Sequence, residues 1–258
     1  KWYQTWYAPN NAILVVVGDV NPNLVYQLAQ TYFSNLKPII LPKIKPKKDL
    51  SPLGEKRLII RTPAQLPWLV MAYPVLVIKQ GVNSQDPYAL DLIATLLSGG
   101  NSARFAKNLI RDQQIAADAN AFYSPVGRLD SLFLLQATPT PGHTLPELES
   151  SILKQIKLLQ TFSVNTEELA RAKAQIAADK IYREDSITTE AYELGSLAAI
   201  NLPWQIQRDY LKHINAITPR QIQTVANKYL LASHLTIAYL LPLPIKSTDS
   251  NSLSVIGS

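Results

Sequence analysis

Thr5-Trp6-Tyr7-Ala8-Pro9-Asn10-Asn11-Ala12-Ile13-Leu14-Val15-Val16-Val17-Gly18-Asp19-Val20-Asn21-Pro22 is the stretch on which the fold turns. Its centre, Ala12 to Val17, is short, rich in β-branched residues and bounded by turn residues on both sides, which predicts a strand. The run has no polar alternation, so the strand expected is one buried on both faces in the middle of a sheet. Asn21 stands where an N-cap belongs, with Pro22 at the first helical position. Leu24, Val25, Leu28, Ala29, Tyr32 and Phe33 follow at helical spacing and mark one apolar face. A central strand needs partners on its edges and faces. Little sequence precedes this unit, and the chain opens on Lys1-Trp2. The expectation is therefore a piece of something longer, cut or processed just upstream.

Downstream, Pro38, Pro42, Pro46 and Pro52 interrupt the chain and mark a linker. Leu58-Ile59-Ile60 restarts order as a short strand. Trp68 to Ile78 is a second apolar run, in which Pro74 argues for an edge position or a bulge. Asp86-Pro87 opens a helix through Leu90, Ile93, Ala94 and Leu97, ended by Gly99-Gly100. Asn101 or Ser102 is expected to cap a helix over Ala103 to Asp112. Ala119 to Tyr123 and Leu132 to Thr138 read as paired strands, and Leu145 to Gln160 as an amphipathic helix. Asn165-Thr166-Glu167-Glu168 has the form of a capping box for a helix running to about Tyr182. Arg183-Glu184-Asp185-Ser186 breaks it from another helix reaching about Ile200. Thr218-Pro219 starts the last helix, and Leu235 to Leu241 is the closing strand. The expected division is a strand–helix unit over 1–36, a Pro/Lys-rich linker over 37–56, an α+β domain over 57–245 and a disordered tail over 246–258.

Bulk properties exclude several classes of function. With 258 residues, 47% of them hydrophobic, the chain can bury a sizeable core. Its net charge of +6 is modest and densest between Lys37 and Lys48. Lys43, Lys45, Lys47 and Lys48 lie there among prolines, with no aromatics between them, as a solvated linker rather than a nucleic-acid patch. The chain has no cysteine, hence no disulfide framework, thiolate metal site or cysteine nucleophile. No apolar run approaches the ~20 residues of a membrane span. There is no Gly-x-Ser-x-Gly elbow. Gly99-Gly100-Asn101-Ser102 follows a helix and lacks Gly-Lys-Ser/Thr, so it reads as a helix–helix turn and not a phosphate loop.

An internal echo links the two ends. Tyr229 and the strand Leu235 to Tyr239 repeat the layout of Tyr7 and Ile13 to Val17, each a helix end and short turn leading into a strand. Four stretches then resemble the M16 (pitrilysin, insulinase) family of zinc metallopeptidases. Tyr7 to Ala12 with Val16 to Val20 is similar to the family's junction into its second module. Leu97-Ser98-Gly99-Gly100-Asn101-Ser102-Ala103-Arg104-Phe105 resembles its Gly-Gly-x-Ser-Ser-Arg-Leu turn. Arg183 to Ser186 with Ala191-Tyr192-Glu193-Leu194-Gly195 is similar to its Asp-Ser…Leu-Gly segment, and Thr218 to Tyr229 to its final helix. The resemblance implies an α+β fold of the M16, or LuxS/MPP-like metallohydrolase, kind: a largely antiparallel sheet with helices packed on one face.

The family's metal site is His-x-x-Glu-His on a helix, with both histidines on one face for zinc and the glutamate as general base. The three histidines here, His143, His213 and His234, include no pair four residues apart, and no Glu-His dipeptide occurs. No metal ligand or cofactor is therefore expected in this chain, and none of its residues is assigned as catalytic; zinc is expected in a separate catalytic half. What the resemblance implies is the inactive half of such a peptidase, closing over an extended peptide and positioning it. Arg183 and Tyr192 match the family's arginine and tyrosine that reach the bound peptide; both can donate to an oxyanion. Plainer readings stand beside these: Arg183 as a helix-end cation, Tyr192 as a packing residue. Arg104 is a weaker candidate. The partners implied are the zinc-bearing half or subunit and a peptide substrate, with no nucleic acid or membrane; self-association stays open. The alternatives are a non-proteolytic scaffold of the same family and a freestanding inactive subunit. Compartment is not legible.

Overall fold

The computed structural model describes residues 1–43 and 54–245. The expected tail, and the expected linker between residues 43 and 54, lie outside them. The core is a five-stranded sheet made of β1 (Lys56–Pro63), β2 (Trp68–Val75), β3 (Ala116–Phe122), β4 (Ser131–Pro139) and β5 (Thr236–Leu243). Their spatial order is β1-β5-β2-β4-β3. Only β1 and β5 run parallel; the other ladders are antiparallel. Leu69, Met71, Tyr73 and Val75 alternate inward on β2, as Phe133, Leu135 and Ala137 do on β4.

The inward face meets α3 (Asp86–Ser98), α4 (Leu145–Thr161), α5 (Thr166–Glu184) and α8 (Pro219–Tyr229) in one continuous core. The sheet is thus covered on one face, as expected for an antiparallel α+β layer. Two further helices, α6 (Ile187–Ala199) and α7 (Gln205–Ala216), lie between α5 and α8 in sequence.

Pro74 sits in an interior strand, contrary to expectation. The ladder explains it: β2 pairs with β5 only over Trp68 to Ala72, whereas pairing with β4 continues to Val75. At Pro74 the sheet has locally run out of a neighbour on the β5 side, so a missing N–H is tolerated there. At the other margin, Ser98 Oγ accepts from the Ala121 N–H at 2.9 Å and lies 3.2 Å from its carbonyl. One hydroxyl thereby caps a residue of the open β3 edge.

Several helix ends behave as their residues dictate. Thr218 forms a capping box with Gln221, and so does Thr144 with Glu147. Asn165 accepts from the Glu167 N–H, but Glu168 does not complete the expected box; its carboxylate is taken by Arg104. The helix expected over Ala103 to Asp112 is wound as a π-helix from Phe105 to Asp112, with no side-chain cap from Asn101 or Ser102. Its last hydrogen bond, from Gln113 N–H to the Asn108 carbonyl, has the i→i+5 spacing. Helix α7 was not foreseen, although Ile206, Tyr210, Leu211 and Ile214 recur at helical spacing.

The decisive stretch of sequence corrects its own reading. Residues 1–33 form α1 (Trp2–Trp6), a 3₁₀ turn (Pro9–Asn11) and α2 (Pro22–Phe33), with Asn21 capping α2 as expected. Ala12 to Val17 is not a buried strand. It is without regular structure and pairs with no strand among the described residues, and Ile13, Leu14 and Val16 are exposed. Both neighbours of the interior strand β5 are already in place, so this sheet leaves no interior slot for it. Helix α2 likewise buries none of its residues. The segment is fixed instead by Asn10, whose side-chain amide donates to and accepts from the backbone of Ile39. Val15 also runs beside Gly195 of α6, where an added methyl group would meet it at 3.5 Å.

Candidate functional site

Arg183 and Tyr192 are brought together by a tight reversal of the chain. Helix α5 ends at Glu184, Asp185 follows as its C-cap, and Ser186 immediately caps α6 by accepting from the Thr189 N–H. Arg183 therefore sits in the last turn of one helix and Tyr192 in the second turn of the next. Both line a cavity of 580 Å³ between α3, α5, α6, α7 and the loop after β3. Tyr192 is 75% exposed. Arg183 donates from Nε to the Asp179 carbonyl at 3.3 Å, a helix-end contact, and holds Glu193 only loosely at 3.8 Å. Among the described residues, most of its guanidinium donors are uncommitted.

The cavity wall holds residues that the sequence reading missed. Asp91 projects from α3 and accepts from the Tyr210 hydroxyl at 2.6 Å. Burial pushes the Asp91 carboxyl above its ordinary range, against the Tyr210 hydrogen bond and the nearby charge of Arg183. The Tyr210 phenol is driven well up by burial and by that same carboxyl. Tyr123 donates to the Leu76 carbonyl at 2.7 Å, and burial raises its phenol too. Lys180 pairs with Glu184 at 2.8 Å. Gln207 donates to Glu190 at 2.9 Å while its amide oxygen is enclosed without a donor. One signal for Asp91 was present in the sequence: it is a lone carboxylate flanked by Leu90, Leu92 and Ile93, all fully buried.

Arg104 has a structural post. It forms a two-point pair with Glu168 at 2.7 and 2.9 Å, tying the Gly-Gly turn to the start of α5. The histidines lie apart from one another: His143 is in a loop beside Glu147, His213 stacks on Tyr88 and His234 closes a 3₁₀ turn before β5. Among the described residues, no three His, Cys, Asp or Glu side chains are grouped to hold a metal ion. None of the described helices is long and apolar enough to cross a membrane.

The family model for the peptidase M16 inactive domain matches residues 1–176. The chain belongs to the M16 peptidase family. The zinc protease PqqE of Helicobacter pylori is 28% identical over 251 residues, covering 94% of this chain and 54% of that protein. An uncharacterized zinc protease of Rickettsia felis is 25% identical over 236 residues, covering 92% and 55%. This M16 domain thus spans about half the length of those relatives. A solved protease from Helicobacter pylori superposes with a TM-score of 0.84 at 26% identity, over 93% of this chain and 58% of that one. An M16 inactive domain from Pseudomonas fluorescens gives 0.73 at 19% identity, over 92% and 55%, a likeness of fold. The α+β architecture of the inactive M16 domain therefore holds for this chain.

Proposed function

We propose that this M16 domain is the substrate-positioning half of a zinc peptidase: it closes over an extended peptide and presents it to a zinc-bearing half. The observation that carries this reading is the convergence of Arg183 and Tyr192 on one cavity, with Tyr192 exposed and Arg183 only loosely paired. A guanidinium and a phenol that are not consumed by packing are free to donate to peptide carbonyls and to the oxygen on which charge develops. The zinc and the attacking water belong to the other half. The chemistry assigned to this chain is binding and orientation.

The 1–36 unit supports the same reading. Its exposed extended stretch and unburied amphipathic helix suit an element completed by another module. The echo extends to the order of elements: α8, a 3₁₀ turn and β5 follow one another as α1, a 3₁₀ turn and the extended residues 12–17 do. By that analogy residues 12–17 serve as an interior strand of the zinc-bearing half. A second copy of this chain would not accept them, because its β5 already fills that position.

The test is Tyr192→Phe and Arg183→Ala in the complete peptidase, or in this chain reconstituted with the zinc-bearing half. Removal of one oxyanion donor costs roughly 2.7–4 kcal/mol of transition-state stabilisation, about a hundredfold or more in kcat. Each variant should lose kcat on that scale while its Tm barely moves, and the pair should be non-additive. A fall in Tm with kcat intact would make both residues structural.

A further inference from the structure

We propose that the cavity between α3, α5, α6 and α7 takes a basic side chain of the bound peptide, lysine or arginine, with its charged head on the Asp91 carboxylate. This rests on the peptide-positioning reading and adds a specificity to it.

The first observation is Asp91 itself. It stands in the wall of the cavity on a helix whose neighbouring residues are fully buried, and only one of its oxygens has a partner, the Tyr210 hydroxyl. A single neutral donor is only partial compensation for a half-buried carboxylate. Its raised proton affinity reflects that shortfall, which an incoming cation would offset.

The second observation is the balance of charge. Two cations line the cavity, Lys180 and Arg183, and each already faces an acid, Glu184 at 2.8 Å and Glu193 at 3.8 Å. Asp179 adds negative potential at Asp91, and Glu190 is held by Gln207 in the cavity wall. In the lining itself Asp91 and Glu193 stand against Lys180 and Arg183, and of these four Asp91 has no ion-pair partner among the described residues. The Gln207 amide oxygen, enclosed without a donor, adds a further unmet acceptor beside the site.

The third observation is shape and lining. Val126, Leu197 and Ile206 give the cavity apolar walls, and the rings of Tyr123 and Tyr210 add aromatic surface. Lysine and arginine carry long apolar stems with a charged tip, which suits apolar walls leading to a carboxylate. The 580 Å³ available exceeds a single side chain and leaves room for adjoining peptide backbone beside Arg183 and Tyr192.

The experiment uses the 258-residue chain and three blocked heptapeptides identical except at the central residue, which is lysine, norleucine or glutamate. Affinity is measured by calorimetry and the site by hydrogen-exchange protection. The lysine peptide should bind at least tenfold more tightly than the norleucine peptide, with protection in α3 and α7. Asp91→Asn keeps an acceptor for Tyr210 and should abolish the difference, with the Tm of the variant checked alongside. Equal or tighter binding of the norleucine or glutamate peptide overturns the basic-side-chain assignment and leaves peptide positioning standing. If no peptide protects the cavity walls, the positioning reading fails and this assignment with it.

Discussion

Glu149 is the charged residue on which the margin of the sheet depends. Arg57 of the exposed strand β1 donates to both its oxygens, at 2.9 and 2.7 Å, and the Tyr239 hydroxyl of β5 donates to one of them. Burial works against the charge of Glu149, but the bonds from Arg57 and Tyr239 outweigh it and hold the carboxyl below its ordinary range. The same carboxylate, after burial, helps push the Tyr239 phenol up to about 12. A depressed carboxyl contributes stability that is present above its unfolded pKa and is lost as pH falls through its folded pKa. Arg57→Ala should therefore lower unfolding free energy at neutral pH by about 1–3 kcal/mol. The lower end is expected, because the Arg57 side chain is half-exposed. Urea unfolding at pH 7 and on acidification below the carboxylate range checks both: in the variant the acid-dependent loss should shrink. Asp91 has the opposite sign. Its raised carboxyl subtracts stability as pH rises through and above its ordinary range, so Asp91→Asn should flatten that part of the profile.

Among elements, the same local signal has different consequences depending on what the helix touches. Thr144 caps α4, which buries Leu148, Ile152, Ile156 and Leu159 in the core. Asn21 caps α2 with two hydrogen bonds, to the Asn23 and Leu24 N–H groups, yet α2 buries nothing. Replacing an N-cap by alanine typically costs about 0.5–2 kcal/mol of helix stability. Thr144→Ala should accordingly lower the global unfolding free energy by about 1 kcal/mol. Asn21→Ala should leave it unchanged and speed only the local exchange of α2. Amides of residues 13–17 should also exchange fast in this chain by itself, having no ladder partner among the described residues. Slow exchange there in a concentration-independent monomer would mean that the segment finds a partner within the chain.

At the scale of the whole molecule, the chain is an M16 inactive domain, and the function proposed above assigns the chemistry to a separate zinc-bearing half. Its three histidines are spread over a loop, the end of α7 and the approach to β5. The purified chain is expected to retain no stoichiometric zinc after dialysis and to cleave no member of a mixed peptide library. Metal analysis and a chelator-controlled turnover assay check this; tight zinc with chelator-sensitive cleavage would overturn it.

What the sequence determined by itself was whatever depends on neighbours in the chain. Caps such as Thr218 with Gln221 and the stop at Gly99-Gly100 are local, so residue order suffices to specify them. The family resemblance was legible in short motifs, and the nearness of Arg183 and Tyr192 along one cavity wall follows from the single tight turn that joins their helices. Other features needed partners distant in sequence. Pro74 is tolerated because β5, more than a hundred and sixty residues later, ends its ladder at Ala72, two residues short of it. Asp91 becomes a site residue only when Tyr210 of α7 reaches it. Residues 12–17 have the composition of a buried strand, but a strand is buried only where a sheet offers it an open position. The sheet of this chain offers no interior one, and that fact resides in the order β1-β5-β2-β4-β3 rather than in any stretch of sequence.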